Sequence, residues 1–308
     1  MKVVATGGAG FIGSHLVDAL VDRGDEVIVV DDLSSGAKQH IHPQAEFHQL
    51  DIRSRQAAEL IRRRRPDAVA HHAAQMSVSR SVREPQFDAD VNLMGALNLL
   101  EAAREVGARF VFASTGGALY GDADVLPTPE SYPAWPVSPY GVSKLAFEHY
   151  LHCYSVQHGL SYTALRYANV YGPRQNPHGE AGVIAIFCLR LLAEEEPIVN
   201  GDGKQTRDFV HVADVVRAHL AALDSDVTGH FNVGTARQVD VNTVFEMIAE
   251  RIGTSLGKRH GPPRPGDQRT SALDWTLIRE RLGWRPRVSL EEGLTDTVEW
   301  FKRAQEET

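Results

Sequence analysis

The chain is poor in cysteine, with only Cys153 and Cys188 among its 308 residues. The two residues do not form a metal-spaced pair, and they are too few for the disulfide framework of a small secreted domain. A chain of this length also buries a sizeable core without such cross-links. The sequence therefore predicts a protein of the reducing cytoplasm.

An excess of positive charge is also lacking, since 32 lysines and arginines face 40 aspartates and glutamates, for a net charge of -8. Nucleic acid is therefore not expected as the main partner, because phosphate backbones select basic surfaces. A small anionic ligand remains compatible, since a few local arginines outweigh the global charge. The basic run at 62–65 is interpreted as the solvated C-terminal end of a helix, where cations are favoured.

Long apolar runs are missing as well. The stretch Lys2–Thr6 is too short for the core of a signal peptide, and no later segment has the length of a membrane span. Histidines are present, but strand alternation directs His71 and His72 to opposite faces of a sheet. We therefore expect neither membrane association nor a bound metal.

The chain does contain a regular alternation of short β-branched runs and amphipathic segments. Strands are predicted at 2–6, 26–30, 45–50, 68–72, 109–113 and 162–166, and helices include 11–23, 87–106 and 138–158. This alternation predicts an α/β fold with a doubly wound parallel sheet, the Rossmann arrangement. A strand and a helix at 207–224 are expected to return to the sheet, and later segments to form a smaller mixed α/β cap. The predicted domains are 1–167 plus 208–235 for the nucleotide, and 168–207 plus 236–308 for the cap.

Three glycines, Gly7, Gly10 and Gly13, lie directly between the first predicted strand and the first predicted helix. At this position they allow a tight turn and a close approach of the backbone to a pyrophosphate. The helix that follows offers free N–H groups and a partial positive charge to the same phosphates. The spacing predicts a dinucleotide-binding loop, with Phe11 and Ile12 in the first turn of the helix.

An acidic residue stands where a dinucleotide-binding unit needs one. Asp31 ends the second predicted strand, and its carboxylate is suited to accept hydrogen bonds from both hydroxyls of an adenosine ribose. The same charge would repel the additional phosphate of NADP, and Asp32 adds to this repulsion. The pattern predicts NAD as the cofactor, although Asp32 by itself is equally typical of a solvated turn.

Tyr140 and Lys144 are four residues apart, so they lie on one face of the predicted helix at 138–158. Ser138 and Pro139 precede them as the cap and the first-turn residue. An ammonium about 5 Å from the phenol lowers the pKa of a tyrosine by roughly two units at an effective dielectric constant of about 20. The pair is therefore predicted to supply a phenolate base.

Two hydroxyl residues, Ser114 and Thr115, end the strand that precedes this helix. A hydroxyl at this point can hydrogen-bond the substrate oxygen that loses its proton. Both remain candidates for that role, with Thr115 preferred, and strand-end capping is the alternative interpretation.

Together these motifs resemble the extended short-chain dehydrogenase/reductase family over essentially the whole chain, and most closely its nucleotide-sugar 4-epimerases. Further segments carry the resemblance: 6–13, Asp51-Ile52, 72–75, Asn92 with Gly95, Tyr120-Gly121, 165–167, Asn169, 171–174, 206–212 and 264–267. The resemblance implies a Rossmann domain with a nucleotide-sugar-binding cap, NAD as a retained cofactor, and a homodimer formed through the helices near Phe87 and Tyr140.

The resemblance also implies roles for individual residues. Tyr140 is the expected base, Lys144 its partner, and Thr115 or Ser114 the orienting hydroxyl. The expected cofactor contacts are Gly7, Gly10, Phe11, Ile12, Gly13, Asp31, Asp32, Gly36, Asp51, Ile52, Ala73, Ala74, Gln75, Asn92, Tyr140, Lys144 and Tyr167. The expected substrate contacts are Thr115, Tyr140, Asn169, Val183, Asn200, Arg207, Arg264 and Asp267.

Two departures from the family pattern bear on these roles. The segment 116–119 has one residue more than many relatives between the hydroxyl pair and Tyr120, and the cap lacks a pair of asparagines that some relatives place against the substrate. Gly116 and Gly117 stand where related dehydratases carry an Asp-Glu pair, and related decarboxylases a glutamate.

The expected activity is therefore interconversion of UDP-glucose and UDP-galactose through a 4-keto sugar. The alternatives are an epimerase for UDP-glucuronate or UDP-N-acetylhexosamines, a reductase of the same fold, or an NAD-binding sensor without catalytic activity. Ser271, four residues after Asp267, is small at a position where relatives can carry a bulky residue, which favours a wider tolerance for N-acetyl groups.

Overall fold

The computed structural model describes residues 1–178, 182–263 and 268–306. Its strands are β1 (Lys2–Thr6), β2 (Glu26–Asp31), β3 (Glu46–Gln49), β4 (Ala68–His71), β5 (Arg109–Thr115), β6 (Tyr162–Tyr167), β7 (Asn169–Tyr171), β8 (Ile198–Asn200), β9 (Thr206–Arg207), β10 (Phe209–His211), β11 (Gly229–Val233), β12 (Val239–Asp240) and β13 (Arg259–Gly261). Seven of them form one parallel sheet in the order β11-β6-β5-β4-β1-β2-β3. The chain thus starts in the middle of the sheet and winds out to both edges, which confirms the predicted Rossmann arrangement.

Helices cover both faces of this sheet. The helices are α1 (Phe11–Asp22), α2 (Arg55–Arg64), α3 (Val78–Arg83), α4 (Pro85–Ala89), α5 (Ala96–Val106), α6 (Pro139–His158), α7 (Val183–Leu192), α8 (Val212–Leu223), α9 (Val241–Ile252), α10 (Thr276–Leu282) and α11 (Leu290–Glu306). Buried residues of α1, α8 and α10 pack on one face, and those of α2, α5 and α6 on the other. The strands between them are apolar on both sides, as buried parallel strands are.

A third hydrophobic core lies outside the central sheet. It is built from α7, α9 and α11, with Phe187, Phe245 and Leu294 among its buried side chains. Three two-stranded pairings accompany it, namely β7 with β10, β8 with β13, and β9 with β12. This unit is the smaller mixed α/β cap that the sequence predicts.

One topological prediction is wrong. The strand expected at the start of 207–224 does not return to the central sheet, because β10 pairs with β7 instead. The seventh strand of the sheet is β11, which pairs with β6 from Gly229↔Thr163 to Val233↔Tyr167. A three-residue apolar run fits either sheet equally well, so its composition does not identify its partner.

The predicted helix at 87–106 is interrupted. Residues Asp90–Gly95 form a π-helical segment between α4 and α5. Such a segment changes which side chains face the protein interior, and here it carries the buried Asn92. Among the described residues, no helix is both long enough and apolar enough to cross a membrane.

Candidate functional site

The carboxyl ends of the central strands bring most of the predicted cofactor residues to one edge of the sheet. The glycine loop follows β1, Asp31 ends β2, Asp51 follows β3, Ala73 follows β4, and the hydroxyl pair ends β5. Parallel strands place these ends side by side, at the edge where open α/β sheets bind their ligands.

The glycine loop has no room for side chains at two of its predicted positions. Gly7 has a φ of +68°, and a Cβ there would lie 2.6 Å from the backbone nitrogen of Ala73. A Cβ on Gly13 would overlap the carbonyl oxygen of Gly7. Gly10 caps α1 without any side-chain hydrogen bond, so the first turn of the helix keeps its free N–H groups. This cradle fits the pyrophosphate of a dinucleotide.

Asp31 is buried at the rim of this cradle. Its carboxylate accepts hydrogen bonds from the backbone N–H of Ala9 at 3.0 Å and of Leu33 at 2.8 Å. Burial raises the pKa of Asp31 above its ordinary value, against the effect of these two bonds. Each oxygen keeps lone-pair capacity for a ribose hydroxyl. Asp32 is exposed and accepts from the backbone N–H of Ser34 at 2.9 Å, as a turn residue does.

The residues predicted on the adenine side lie near the carboxyl ends of β2 and β3. A Cβ on Gly36 would lie 2.9 Å from the Cβ of Ala9, so this glycine lets its loop approach the cradle. Asp51 is paired with Arg53 at 2.5 Å, and Ile52 is buried.

Tyr140 and Lys144 lie together on the first turns of α6. Ser138 caps this helix by accepting a hydrogen bond from Gly141 N–H at 3.2 Å, as the sequence predicts. The Lys144 ammonium nitrogen is 5.9 Å from the centroid of the Tyr140 ring, and it donates to the carbonyl oxygen of Ala113 at 2.9 Å. The tyrosine is half-buried and the lysine buried. The structure therefore brings the predicted pair to the carboxyl end of β5.

The expected electrostatics of this pair need correction. Burial raises the pKa of Tyr140 above its ordinary value, and the charge of Asp88 raises it further. Burial lowers the pKa of Lys144 to about 8, although Asp88 and Glu148 oppose this shift. Desolvation, which the spacing of the two residues does not show, here outweighs the charge of the ammonium. Within the protein alone, the phenol is therefore not acidified.

The two hydroxyl candidates occupy different surroundings. Ser114 is buried and donates to the carboxylate of Glu148 at 2.5 Å, in a cluster where Glu148 also pairs with Arg166 at 2.6 Å. Thr115 is only partly buried, and its Oγ1 accepts a hydrogen bond from Ala118 N–H at 3.3 Å. The Ser114 hydroxyl thus donates its hydrogen to the internal Glu148–Arg166 ion pair, whereas the hydroxyl hydrogen of Thr115 is available to a substrate.

Tyr167 does not direct its side chain to the crevice. Its hydroxyl forms a hydrogen bond with Nε2 of His219 inside the core, and the His219 ring lies 4.4 Å from that of His72. The carbonyl oxygen of Tyr167 accepts from Gly116 N–H at 2.7 Å. Tyr167 therefore supports the turn after Thr115 through its main chain.

The predicted substrate contacts are spread over the cap. Asn169 lies in β7, Val183 begins α7, Asn200 ends β8, and Arg207 lies in β9 with its guanidinium donating to the carbonyl oxygen of Thr206 at 2.8 Å. All four are partly buried. Arg264 and Asp267 lie outside the described residues.

The cofactor side of the site contains a carboxylate that sequence reasoning missed. Asp88 is fully buried and accepts hydrogen bonds from Gln75, Asn92 and Ser143. Two signals in the sequence point to it. Asp88 lies four residues before Asn92 on one helix face, and Ser143 directly precedes Lys144.

The two adjacent histidines follow the predicted alternation. Nδ1 of His71 lies 2.7 Å from the hydroxyl oxygen of Thr6, and the ring stacks with Phe112. His72 lies on the opposite face of the sheet, against His219. Since the two rings point in opposite directions, they do not form a joint site.

Comparisons with known proteins agree with this geometry. The NAD dependent epimerase/dehydratase family model matches residues 3–234. A UDP-glucose 4-epimerase of Mycolicibacterium smegmatis is 45% identical over 98% of this chain and 99% of its own length. The crystal structure of a Thermotoga maritima UDP-glucose 4-epimerase with UDP-glucose is similar at a TM-score of 0.97 and 50% identity, covering 99% of this chain and 100% of that one. A Thermus thermophilus UDP-glucose 4-epimerase in complex with NAD is similar at a TM-score of 0.94 and 45% identity, with coverages of 99% and 100%.

Proposed function

The chain belongs to the NAD dependent epimerase/dehydratase family, and from this membership we propose that it is an NAD-dependent UDP-glucose 4-epimerase. The observation that carries the proposal is the placement of Tyr140 and Lys144 beside the glycine cradle, at one edge of the parallel sheet. The similarity to enzymes of this activity over nearly the full chain supports the same conclusion.

The residues at the cradle fit NAD rather than NADP. Gly7 and Gly13 leave space for a pyrophosphate, and the buried Asp31 is placed for ribose hydroxyls. A second phosphate on that ribose would lie against the charges of Asp31 and Asp32, with no arginine directly following them in the chain. When bound, NAD⁺ supplies a hydride acceptor next to the sugar.

In the mechanism, Tyr140 takes the proton of the sugar 4-hydroxyl and later returns it. Lys144 stabilises the phenolate with its charge, and Thr115 orients the reacting hydroxyl through a hydrogen bond. The 4-keto sugar turns over while its diphosphate remains held by Arg207 and Arg264, because guanidinium groups grip phosphate oxygens in fixed geometry. Return of the hydrogen to the opposite face of C4 completes the epimerisation without net redox change.

Elimination of water from the sugar is disfavoured by the segment after Thr115. Dehydratases that resemble this chain need an acidic pair there, and this chain has Gly116 and Gly117. A Cβ on Gly116 would overlap the side chain of the buried Leu273, so a larger residue at that position requires Leu273 to move. The remaining machinery of base, hydroxyl and diphosphate clamp is sufficient for epimerisation.

Purified protein is expected to convert UDP-galactose to UDP-glucose without added cofactor, because the NAD is retained and regenerated in each cycle. Separation of the two sugars by chromatography measures the conversion. Addition of NAD to protein first stripped of nucleotide serves as the control and is expected to restore the rate. Absence of conversion of every UDP-hexose by NAD-loaded protein would contradict the proposed activity.

We further propose that the nucleotide domain comprises residues 1–167 and 208–235, with the cap formed by 168–207 and 236–308. The separate hydrophobic core around α7, α9 and α11 supports this division. We also propose a cytoplasmic location, which is supported by Cys153 and Cys188 both being free thiols.

A homodimer is proposed through the outer surface of α6 and the helical segment before α5. Apolar side chains are exposed there, with Val142 at 52%, Tyr150 at 42% and Met94 at 57%. Wild-type protein is expected to sediment at twice the chain mass of 33.9 kDa. Tyr150→Glu is expected to shift the protein to the monomer, because a charge would be buried without a partner. Val125→Glu, at another exposed apolar position, should leave the dimer intact, and a dimeric Tyr150→Glu variant would contradict this surface.

A further inference from the structure

A buried carboxylate faces the catalytic pair from a different element of the fold. Asp88 lies in α4 and is 0% exposed. Its Oδ1 accepts from the amide nitrogens of Gln75 at 2.8 Å and Asn92 at 3.0 Å, and its Oδ2 accepts from the Ser143 hydroxyl at 2.7 Å. The three side chains that donate to it are all uncharged. Burying a carboxylate without a paired cation lowers the stability of the folded protein, so its presence here indicates a functional role.

The orientation of both amides shows that Asp88 is surrounded by donors. The side-chain oxygen of Gln75 accepts from Ser77 N–H at 2.6 Å, and that of Asn92 accepts from Gln75 N–H at 2.8 Å. Because each amide oxygen is already fixed by a backbone donor, each NH₂ group must face the carboxylate. The three side chains around Asp88 all donate to it, as expected for an ionised carboxylate, which accepts hydrogen bonds only.

The bond to Ser143 connects this charge to the catalytic helix. Ser143 is in the first turns of α6, between Tyr140 and Lys144. The charge of Lys144 also acts on Glu148 of its own helix, on His71 at the end of β4 and on His72 just after that strand. Burial keeps both histidines neutral by lowering the pKa of each, so Asp88 and Glu148 are the negative charges around the lysine. Glu148 is already paired with Arg166, which leaves Asp88 as the unpaired one.

We propose that Asp88 is a positioning residue of this active site: through its hydrogen bond from Ser143, its buried carboxylate fixes the turn of α6 that carries Tyr140 and Lys144. This role rests on the proposed epimerase function. The π-helical segment Asp90–Gly95 begins two residues after Asp88 and carries Asn92, one of its donors.

The substitution Asp88→Asn tests the role of the charge with little change in geometry. The asparagine oxygen keeps the bonds from Gln75 and Asn92, and its NH₂ donates to the Ser143 hydroxyl, which can accept. Loss of the negative charge favours deprotonation of both neighbours, since it no longer repels the phenolate or attracts the ammonium. The acid limb of the pH–rate profile, set by Tyr140, and the alkaline limb, set by Lys144, therefore both move to lower pH, by about one unit.

The measurement is the pH dependence of kcat and kcat/KM for UDP-galactose in NAD-loaded protein. At pH 8 we expect kcat to fall about fivefold and KM to change less than about twofold. Ser143→Ala keeps the charge of Asp88. It is expected to lower the rate without moving either limb of the pH–rate profile. Asp90→Asn, at an exposed aspartate two residues further along the chain whose carboxylate pairs with Arg53, serves as the surface control. If Asp88→Asn does not fold, Asp88→Ser keeps a small acceptor and carries the same expectation.

A readout that does not depend on turnover separates the two proposals. Tyrosine ionisation is followed by ultraviolet difference absorbance of the holoenzyme, with the Tyr140→Phe spectrum subtracted, and its midpoint is expected to be lower in Asp88→Asn. If both limbs of the pH–rate profile and the midpoint of the tyrosine titration are the same in Asp88→Asn as in the wild type, the role of Asp88 is overturned, even if the rate falls. A wild type that epimerises no UDP-hexose would instead count against the proposed function alone, because the tyrosine titration still tests Asp88.

Discussion

Replacing Tyr140 with phenylalanine is expected to lower kcat by about 10³-fold or more while NAD stays bound. General base catalysis typically contributes about 10²–10⁴-fold, and this chain has a single phenol next to the catalytic lysine. Phenylalanine preserves the half-buried ring and its packing on α6, so only the hydroxyl is removed. Steady-state rates with UDP-galactose measure the loss, and chromatography of the nucleotide released on denaturation measures the retained NAD.

A tyrosine remote from the cradle provides the matched control for this variant. Tyr132 donates a hydrogen bond to Asp124 at 3.0 Å, so Tyr132→Phe also removes one hydrogen-bonded hydroxyl. We expect it to leave kcat within about twofold of the wild type. Turnover by Tyr140→Phe at the wild-type rate would refute the assignment of Tyr140 as the base. Loss of NAD from this variant would show that the hydroxyl serves binding instead.

The raised pKa of Tyr140 limits the conditions under which its phenol acts as a base. Burial holds the phenol neutral within the protein alone, and the single ammonium of Lys144 does not overcome this effect. A further positive charge is needed next to the ring, and the nicotinamide of NAD⁺ carries one. Bound NAD⁺ would thus favour the phenolate more than NADH would, which suits a base that acts while a hydride is removed.

The sequence predicts the sheet well because its strands have distinctive surroundings. β1 and β2 are β-branched runs that end at a glycine cluster and at an aspartate, and the glycine loop after β1 leads directly into α1. Pattern alone therefore locates the glycine cradle, Asp31 and the pair on α6. The short strands of the cap, such as β10, have two or three residues and no alternation to measure, so their partners depend on tertiary packing.

The electrostatic details of the site could not be predicted in the same way. A helical repeat looks alike with or without a π-helical segment, so nothing in the spacing at 87–106 places Asn92 against Gln75. The choice between Ser114 and Thr115 also depends on which one meets Glu148, a residue 34 positions from Ser114. Burial is the common missing quantity, since it decides both the shifted pKa values and the partners of buried polar groups.

Replacing Gly13 with alanine is expected to remove NAD from the protein and, with it, the epimerase activity. A Cβ at this position would overlap the carbonyl oxygen of Gly7, with the Gly7 carbonyl carbon only 2.9 Å away and the Gly8 Cα at 3.0 Å. These are backbone atoms, so the start of α1 must move away from the loop. The N–H groups of that first turn would then no longer meet the pyrophosphate.

The intrinsic preference of alanine makes this result informative. In a helix interior, alanine is more favourable than glycine by about 1 kcal/mol, so propensity alone predicts a more stable protein. We expect the opposite, with a Tm several degrees lower, because the backbone collision outweighs the gain. Gly257→Ala is the control, since a Cβ there has only the Glu196 carboxylate at 3.5 Å and no positive φ. Retained NAD and an unchanged or higher Tm in Gly13→Ala would show that the loop adapts, and that close packing of α1 on Gly7 is not what holds the dinucleotide.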